Sequence, residues 1–268
     1  MKINYRKLHR YLKYILPLKC EDLIRLGNKN DSGYIVSKSA IKNSNTMISL
    51  GMANNWSFEN EFLKINKKNC VYIYDHTVDL SYFFLNLFKS IKRFLYFKSS
   101  LENISNKFKD LQNYISLKKS NRIHHFQKKI SDKNLQIEIR LNKILKEFKN
   151  KKVILSIDIE GDEFKLLNDI LNFNKNMHMI IIEFHFLNKK RKEFEKIVKK
   201  LKEKFYIIHI HGNNYTSFCT DSLPVTLEMT FINKKLYPIT KKTLIKKFPI
   251  KNLDYPNLND KEDLKFYY

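Results

Sequence analysis

Glycine, proline, cysteine and tryptophan are all scarce: five, five, three and one among 268 residues. Cys20, Cys70 and Cys219 are odd in number and form no CxxC pair, which argues against a disulfide framework or a cysteine zinc site and fits a reducing cytoplasm. No apolar run approaches the ~20 residues of a membrane span. The stretch Met1 to Lys7 lacks the apolar core and cleavage site of a signal peptide. Acids are the scarce charge, with 27 Asp+Glu against 51 Lys+Arg and a formal net charge of +24. Such a balance draws phosphate or an anionic surface. Lysine is nevertheless spread along the chain rather than blocked, so solvated lysine faces and a nucleic-acid patch are both open readings.

Hydrophobic residues make up 43% of the chain, enough for a sizeable core. No repeat or low-complexity linker divides it, so residues 1–268 read as one domain. Its parts are an amphipathic N-terminal helix over 1–20, a core over 22–236 with a helical insertion at 80–121, and a tail over 237–268. The helix docks on the body or lies on a membrane surface. The tail reads as a surface wrap with mobile parts.

The few glycines fall in motifs. Val153 to Ile157 is a buried strand that empties into Asp158, Glu160, Asp162 and Glu163 around Gly161, and a helix follows. A strand that ends in carboxylates and turns into a helix is the site geometry of an open α/β sheet, where ligands sit beyond the carboxyl ends of the strands. Thr46 to Phe62 repeats the plan, with Gly51 between strand and helix and Asn55 or Ser57 as candidate helix cap. It is not GxGxxG, which disfavours a dinucleotide site. Asn69 to His76 is the next strand. Asp75 at its end stands where a ribose diol is bound, or is an ordinary turn residue.

Ile24 to Val36 reads as a hairpin presenting Arg25, Asp31 and Tyr34, with or without chemistry. Residues 80–121 read as two helices. Their aromatic stripe is expected to be core, with a substrate lid or interface as the other reading, because lysines interleave it. Arg122 to Ser131 reads as a third strand ending at Asp132, and 134–149 as a helix. Met177 to His185 is a strand with Glu183 and His185 on one side of its exit. After a charged helix over 189–203, Phe205 to Asn214 is a strand that ends in His209, His211 and Gly212. Pro224 to Ile232 is a last strand, suited to antiparallel pairing.

The segments RLGNKNDSGYIV, SLGMANNWSFE, VYIYDHT, LSIDIEGDEF, IIIEFH, HIHGNN and LPVTLEMTF together resemble the FkbM-like branch of class I S-adenosylmethionine-dependent methyltransferases over most of 22–232. The resemblance implies an α/β, Rossmann-like sheet of seven mostly parallel strands with one antiparallel, helices on both faces, and a helical insertion after the second strand. It implies S-adenosylmethionine bound by Gly51, Met52, Asp75, His76 and Asp158, with the Gly51 turn against the methionine part and Asp75 against the ribose. One departure stands out. The first strand ends Ser49-Leu50-Gly51, with neither the acidic residue nor the paired glycines common at this turn, so the contact to the cofactor's amino group is unassigned.

Methyl transfer from a sulfonium needs in-line alignment and, for a hydroxyl acceptor, help in removing a proton. His185, His211 and Glu160 are the candidate catalytic groups. Asp158, Glu183 and His209 are the candidate ligands for Mg2+ or another divalent ion. The function expected from the resemblance is O-methylation of a sugar hydroxyl, on a surface polysaccharide or a related metabolite. A nucleic-acid methyltransferase and a noncatalytic binding protein, docked on an anionic membrane or in an assembly, are the alternatives. All rest on one expectation: that the Gly51 loop, Asp75 and the Asp158–Glu163 turn meet on one edge of one sheet.

Overall fold

The computed structural model describes residues 5–131 and 135–268. The expected strand exit at Asp132, the start of the 134–149 helix and the first four residues lie outside them. Among the described residues, seven strands form the central sheet: β1 (Thr46–Leu50), β2 (Cys70–Tyr74), β3 (Ile123–Phe126), β4 (Val153–Ile157), β5 (Met177–Phe184), β6 (Phe205–Gly212) and β7 (Leu227–Asn233). Their order is β3-β2-β1-β4-β5-β7-β6. Only β7 runs antiparallel, against both β5 and β6. The order turns back between β1 and β4, which places a crevice beyond Leu50 and Ile157, partners in the register.

The strands are buried on both faces, as the continuous apolar runs require. Alternate residues serve two cores. Leu50, Leu155, Ile157, Ile180 and Ile182 pack beneath α5 (Leu141–Glu147), α6 (Leu167–Asn172) and α7 (Arg191–Lys204). Met47, Ile154, Met179 and Ile181 pack beneath α1 (Lys38–Asn43), α2 (Ser57–Ile65), α3 (Leu80–Leu95) and α4 (Leu101–Lys119).

The hairpin forms from Leu23–Gly27 and Gly33–Ser37. Arg25 braces its turn by donating to the carbonyls of Asn28 (2.7 Å) and Asn30 (2.9 Å). Thr230 Oγ1 of β7 donates to Ile35 O, and Ser57 Oγ of α2 donates to Ser32 O. Ser57 is thereby diverted from capping α2, and Asn55 Oδ1 accepts from the Ser57 N–H instead.

Four expectations are corrected. Among the described residues of 1–20, the helix is only a 3-10 helix, Arg10–Ile15, that ends before Pro17. Leu8, Leu12, Ile15 and Leu16 are all buried, so their spacing marked core contacts rather than a regular helix. Most of 134–149 is not helix: Glu138–Arg140 pairs in parallel with Lys129–Ser131, and α5 starts only at Leu141. The tail does not lie loosely on the surface. Phe248 and Phe266 are fully buried, and Phe266–Tyr267 joins Lys247–Phe248 and Arg6–Lys7 in a small sheet. The aromatic stripe of α3 is core only in part: Phe83 is buried and Leu87 packs beside it, but Phe84, Phe88 and Leu95 are 52%, 65% and 70% exposed.

Candidate active site

The exits of β1, β2 and β4 meet as the sequence reading requires. Asp158 N donates to Leu50 O at 2.8 Å, and a Cβ on Gly51 would stand 1.8 Å from Asp158 O. Gly51 has φ +83°, a left-handed conformation that glycine adopts freely. Asp75 reaches across from β2, and its Oδ2 accepts from the N–H groups of Met52 and Ala53, both at 2.8 Å. Its Oδ1 accepts from the N–H and Oγ1 of Thr77, both at 2.6 Å. Burial alone would raise the pKa of Asp75, but these four donors outweigh it and hold the pKa below the usual value. With about four lone-pair sites on a carboxylate, Asp75 is saturated by its own loops. It fixes the Gly51 turn, and a ribose diol would share its oxygens rather than find them vacant.

A cleft opens here, lined by Gly51, Met52, Asp75, His76, Asp158 and Glu160 among others. All five residues assigned to the cofactor thus line one space. Asp31 and Tyr34 of the hairpin form its outer wall. Glu59, which sequence reasoning passed over, also lines it. It is buried in the first turn of α2 and accepts from Ser49 Oγ at 2.6 Å. Burial pushes its pKa up, against the pull of that hydrogen bond. The signal lay in SLGMANNWSFE, where a carboxylate eight residues after Gly51 folds back on the serine that stands in for an acid.

Beside the cleft, His185 is enclosed by carboxylates. Its Nε2 lies 3.5 Å from Glu160 Oε2, 3.6 Å from Asp158 Oδ1 and 3.9 Å from Glu183 Oε1, and its Nδ1 lies 3.4 Å from Glu163 Oε1. Glu163 also accepts from the N–H groups of His185 (2.7 Å) and Gly161 (2.8 Å), locking the β4 turn onto the β5 exit. Burial lowers the pKa of His185, but Glu163, Asp158 and Glu160 together raise it above the usual value. Burial pushes Asp158 up to about 7, aided by Glu160, Asp31 and Glu163 and opposed by His185. Glu183 is raised by burial and by Asp158 and Glu228, although Asn213 Nδ2 donates to it at 2.7 Å.

Two candidates are placed elsewhere. β7 lies between β5 and β6, which sets His209 and His211 two strands, roughly 10 Å, from the β5 exit. His209 Nε2 stands 2.9 Å from Asp254 Oδ1 of the tail, so it does not join Asp158 and Glu183. Among the described residues, the group able to share an ion is Asp158, Glu183 and His185, with ligand atoms within 4.8 Å of one another. His211 is not an open base. Its Nδ1 lies 3.4 Å from Glu228 and its Nε2 3.1 Å from Asp263, and it is buried.

The FkbM methyltransferase domain model matches residues 12–208, which run from the first buried turn through five of the seven strands into β6. The chain belongs to the FkbM methyltransferase family. It is an S-adenosylmethionine-dependent methyltransferase, and its sheet has the seven strands, one of them antiparallel, expected from the resemblance. Among solved structures it is similar to a spermidine synthase from Thermotoga maritima (12% identity, 91% of this chain and 80% of that one, TM-score 0.41). It is also similar to the Methanococcus jannaschii fibrillarin pre-rRNA processing protein (10%, 72% and 68%, TM-score 0.38). A third is precorrin-6y C5,15-methyltransferase from Geobacter metallireducens (9%, 73% and 84%, TM-score 0.36). No curated protein matches the sequence.

Proposed function

We propose that this FkbM-family methyltransferase methylates a hydroxyl of a sugar, on a surface polysaccharide or a related metabolite. The observation that carries the reading is the position of Asp158, which both lines the cofactor cleft and stands 3.6 Å from His185 Nε2. In the transfer, the acceptor oxygen forms its bond to the methyl carbon as the carbon–sulfur bond breaks, and the sulfur keeps the electron pair. The hydroxyl proton has to leave in the same event, because a sugar hydroxyl is a very weak acid. Asp158 and Glu160 both line the cleft beside His185; Asp158, the more buried of the two, receives it, while His185 and Glu183 sit behind and share the added proton as one coupled unit.

Two features support a neutral sugar over a polyanion. The cleft is lined by Asp31, Asp158, Glu160 and Asp162 with Lys128 and Lys129, and Asp162 is paired with Lys165, so the lining is not the cationic surface that a polyanion needs despite the net charge of +24. Phe186, 46% exposed, turns its ring beside His185 at 6.1 Å between centroids and offers an apolar platform for a sugar face.

A divalent ion is a second way of acidifying the hydroxyl. It is favoured by one observation: Asp158 Oδ1 is buried with no hydrogen-bond partner among the described residues. Two carboxylates and an imidazole suit such an ion. Asp158, Glu183 and His185 would hold it, and it would supply Lewis-acid activation of the acceptor oxygen.

The test is transfer of labelled methyl from S-adenosylmethionine to glycan and nucleotide-sugar fractions, with RNA and DNA in parallel. Label in the glycan arm that disappears in Asp158→Asn, with cofactor binding retained, supports the reading. Label confined to nucleic acid overturns it.

A further inference from the structure

Helix α3 carries more apolar surface than the protein covers. Phe83 and Leu87 turn inward, and Phe83 stacks on Tyr114 of α4 at 4.6 Å and meets Trp56 edge-on at 6.1 Å, which anchors the two-helix insertion to the body. A second stripe, Leu80, Phe84, Phe88, Ile91 and Leu95, repeats every three or four residues and faces solvent, 39% to 70% exposed. At the turn into α4, Phe97 is 98% exposed and takes φ +56°. A bulky residue is costly there, where glycine is the usual occupant. A monomeric protein rarely leaves so continuous an apolar strip in water without a partner for it.

The charges say what kind of partner. Between Leu80 and Ser100 there is no Asp or Glu. Lys89, Lys92, Arg93 and Lys98 of this segment, joined by Lys107 of α4, line a recess between the two helices. At 100° per residue, Lys92, Lys89 and Arg93 follow one another around the helix from the edge of the apolar stripe. An apolar face with a cation at its edge, Lys92, and more on the polar face behind it, Lys89 and Arg93, is the pattern of a helix that lies in the plane of a membrane, side chains among the acyl chains and cationic groups at the level of the phosphates. A second copy of the chain fits poorly, since a two-fold contact through this face would set its cations against themselves. Nucleic acid has no use for the aliphatic stripe.

We infer that the α3–α4 hairpin docks this protein on an anionic phospholipid surface. Phe88, Leu95 and Phe97 enter the lipid, and Lys89, Lys92, Arg93 and Lys98 pair with headgroup phosphates. Because α3 begins just after His76 and Thr77, which line the cofactor cleft, docking holds that cleft at the membrane face. The inference does not depend on which acceptor is methylated.

The test is sedimentation of the full chain with vesicles of phosphatidylglycerol and phosphatidylcholine, and with pure phosphatidylcholine. The protein is expected to pellet with the anionic vesicles at low salt and to be released as salt screens the contact. The triple variant Phe88→Ser, Leu95→Ser, Phe97→Ser changes only exposed side chains and should keep its melting temperature, while its partitioning falls about a hundred-fold or more. Each of Lys89→Gln and Lys92→Gln should weaken partitioning about five-fold. Wild-type protein left in the supernatant overturns the inference, as does a folded triple variant that binds like the wild type. A wild-type dimer in sedimentation equilibrium that the triple variant dissolves would assign the stripe to a second copy instead.

Discussion

Ser49 Oγ donates a 2.6 Å hydrogen bond to Glu59 Oε1, joining β1 to the first turn of α2 beside the cleft that Glu59 lines. It brings a carboxylate from the helix to the end of β1, where the strand itself has none. Ser49→Ala strands that oxygen in a buried site and should cost about 1–3 kcal/mol in urea unfolding. Glu59→Gln keeps the acceptor oxygen and should fold; if Glu59, which lines the cleft, is the acid that meets the cofactor's amino group, the variant should lose about ten-fold in affinity for S-adenosylmethionine by calorimetry. Unchanged affinity in a folded Glu59→Gln protein would remove Glu59 from the cofactor site.

Asp75 accepts four hydrogen bonds from two loops, and its loss should be felt first in the Gly51 turn. Asp75→Ala removes the acceptor of three N–H groups and one hydroxyl, of which the Met52 N–H is buried, for a loss of about 1–3 kcal/mol and a steep fall in cofactor affinity. The sign of the pH effect follows from the lowered pKa. The stabilisation is complete above the unfolded carboxylate value, near 3.8, and is lost as pH falls through the lower folded value. Melting temperature against pH should therefore drop less steeply at acid pH in Asp75→Asn than in the wild type.

Strand identity and the convergence of Gly51, Asp75 and Asp158 were legible because parallel strands advertise themselves as short apolar runs and end in their functional residues. What the pattern could not carry was adjacency. His185 and His211 sit at strand exits, His209 lies inside β6, and nothing local says that β7, later in the chain, slips between β5 and β6. The same holds for Asp254 and Asp263, which lie in a mixed-charge tail and find His209 and His211 only through long-range folding. Periodicity in α3 marked one apolar stripe, but period alone does not tell the part covered by protein, Phe83 and Leu87, from the part left open, Phe84, Phe88 and Leu95.

The glycines of the two turns should differ in tolerance. A Cβ on Gly51 meets the backbone oxygen of Asp158 at 1.8 Å, and neither strand can yield without breaking the sheet, so Gly51→Ala should fail to give stable, cofactor-binding protein. A Cβ on Gly161 meets only the ring of Phe186, at 2.9 Å, and that ring is exposed. Gly161→Ala, at φ +106°, should fold with a strain cost of about 1–3 kcal/mol. Comparison of the soluble yields and urea midpoints of the two variants checks the contrast.

His211 makes stability depend on alkaline pH. Burial lowers its pKa, but hydrogen bonds to Asp263 and Glu228, with the Asp254 charge nearby, raise it well above the usual 6.5. The folded protein therefore holds a proton that the unfolded chain has released. The contribution is full below about 6.5 and fades as pH rises through the folded value. Melting temperature should decline across alkaline pH in the wild type. In His211→Gln it should be lower at neutral pH, with that decline flattened. Parallel slopes in the two proteins would show that His211 is not the titrating group.

Single substitutions should separate the roles of the histidines. His185→Ala leaves Asp158 and Glu183 facing each other without the imidazole, so methyl transfer should fall by a factor of about 10²–10⁴ while cofactor binding persists. His209→Ala and His211→Ala act through the tail, so both should lower the melting temperature before they lower turnover. The ion reading adds its own measurement. After chelation, Mn2+ or Mg2+ should raise the melting temperature of the wild type, and His185→Ala and Glu183→Gln should each abolish that rise, because each removes one of three ligands. If transfer fails in His185→Ala and no ion shifts the melting curve of the wild type, the proton is carried by the Asp158–His185 pair alone.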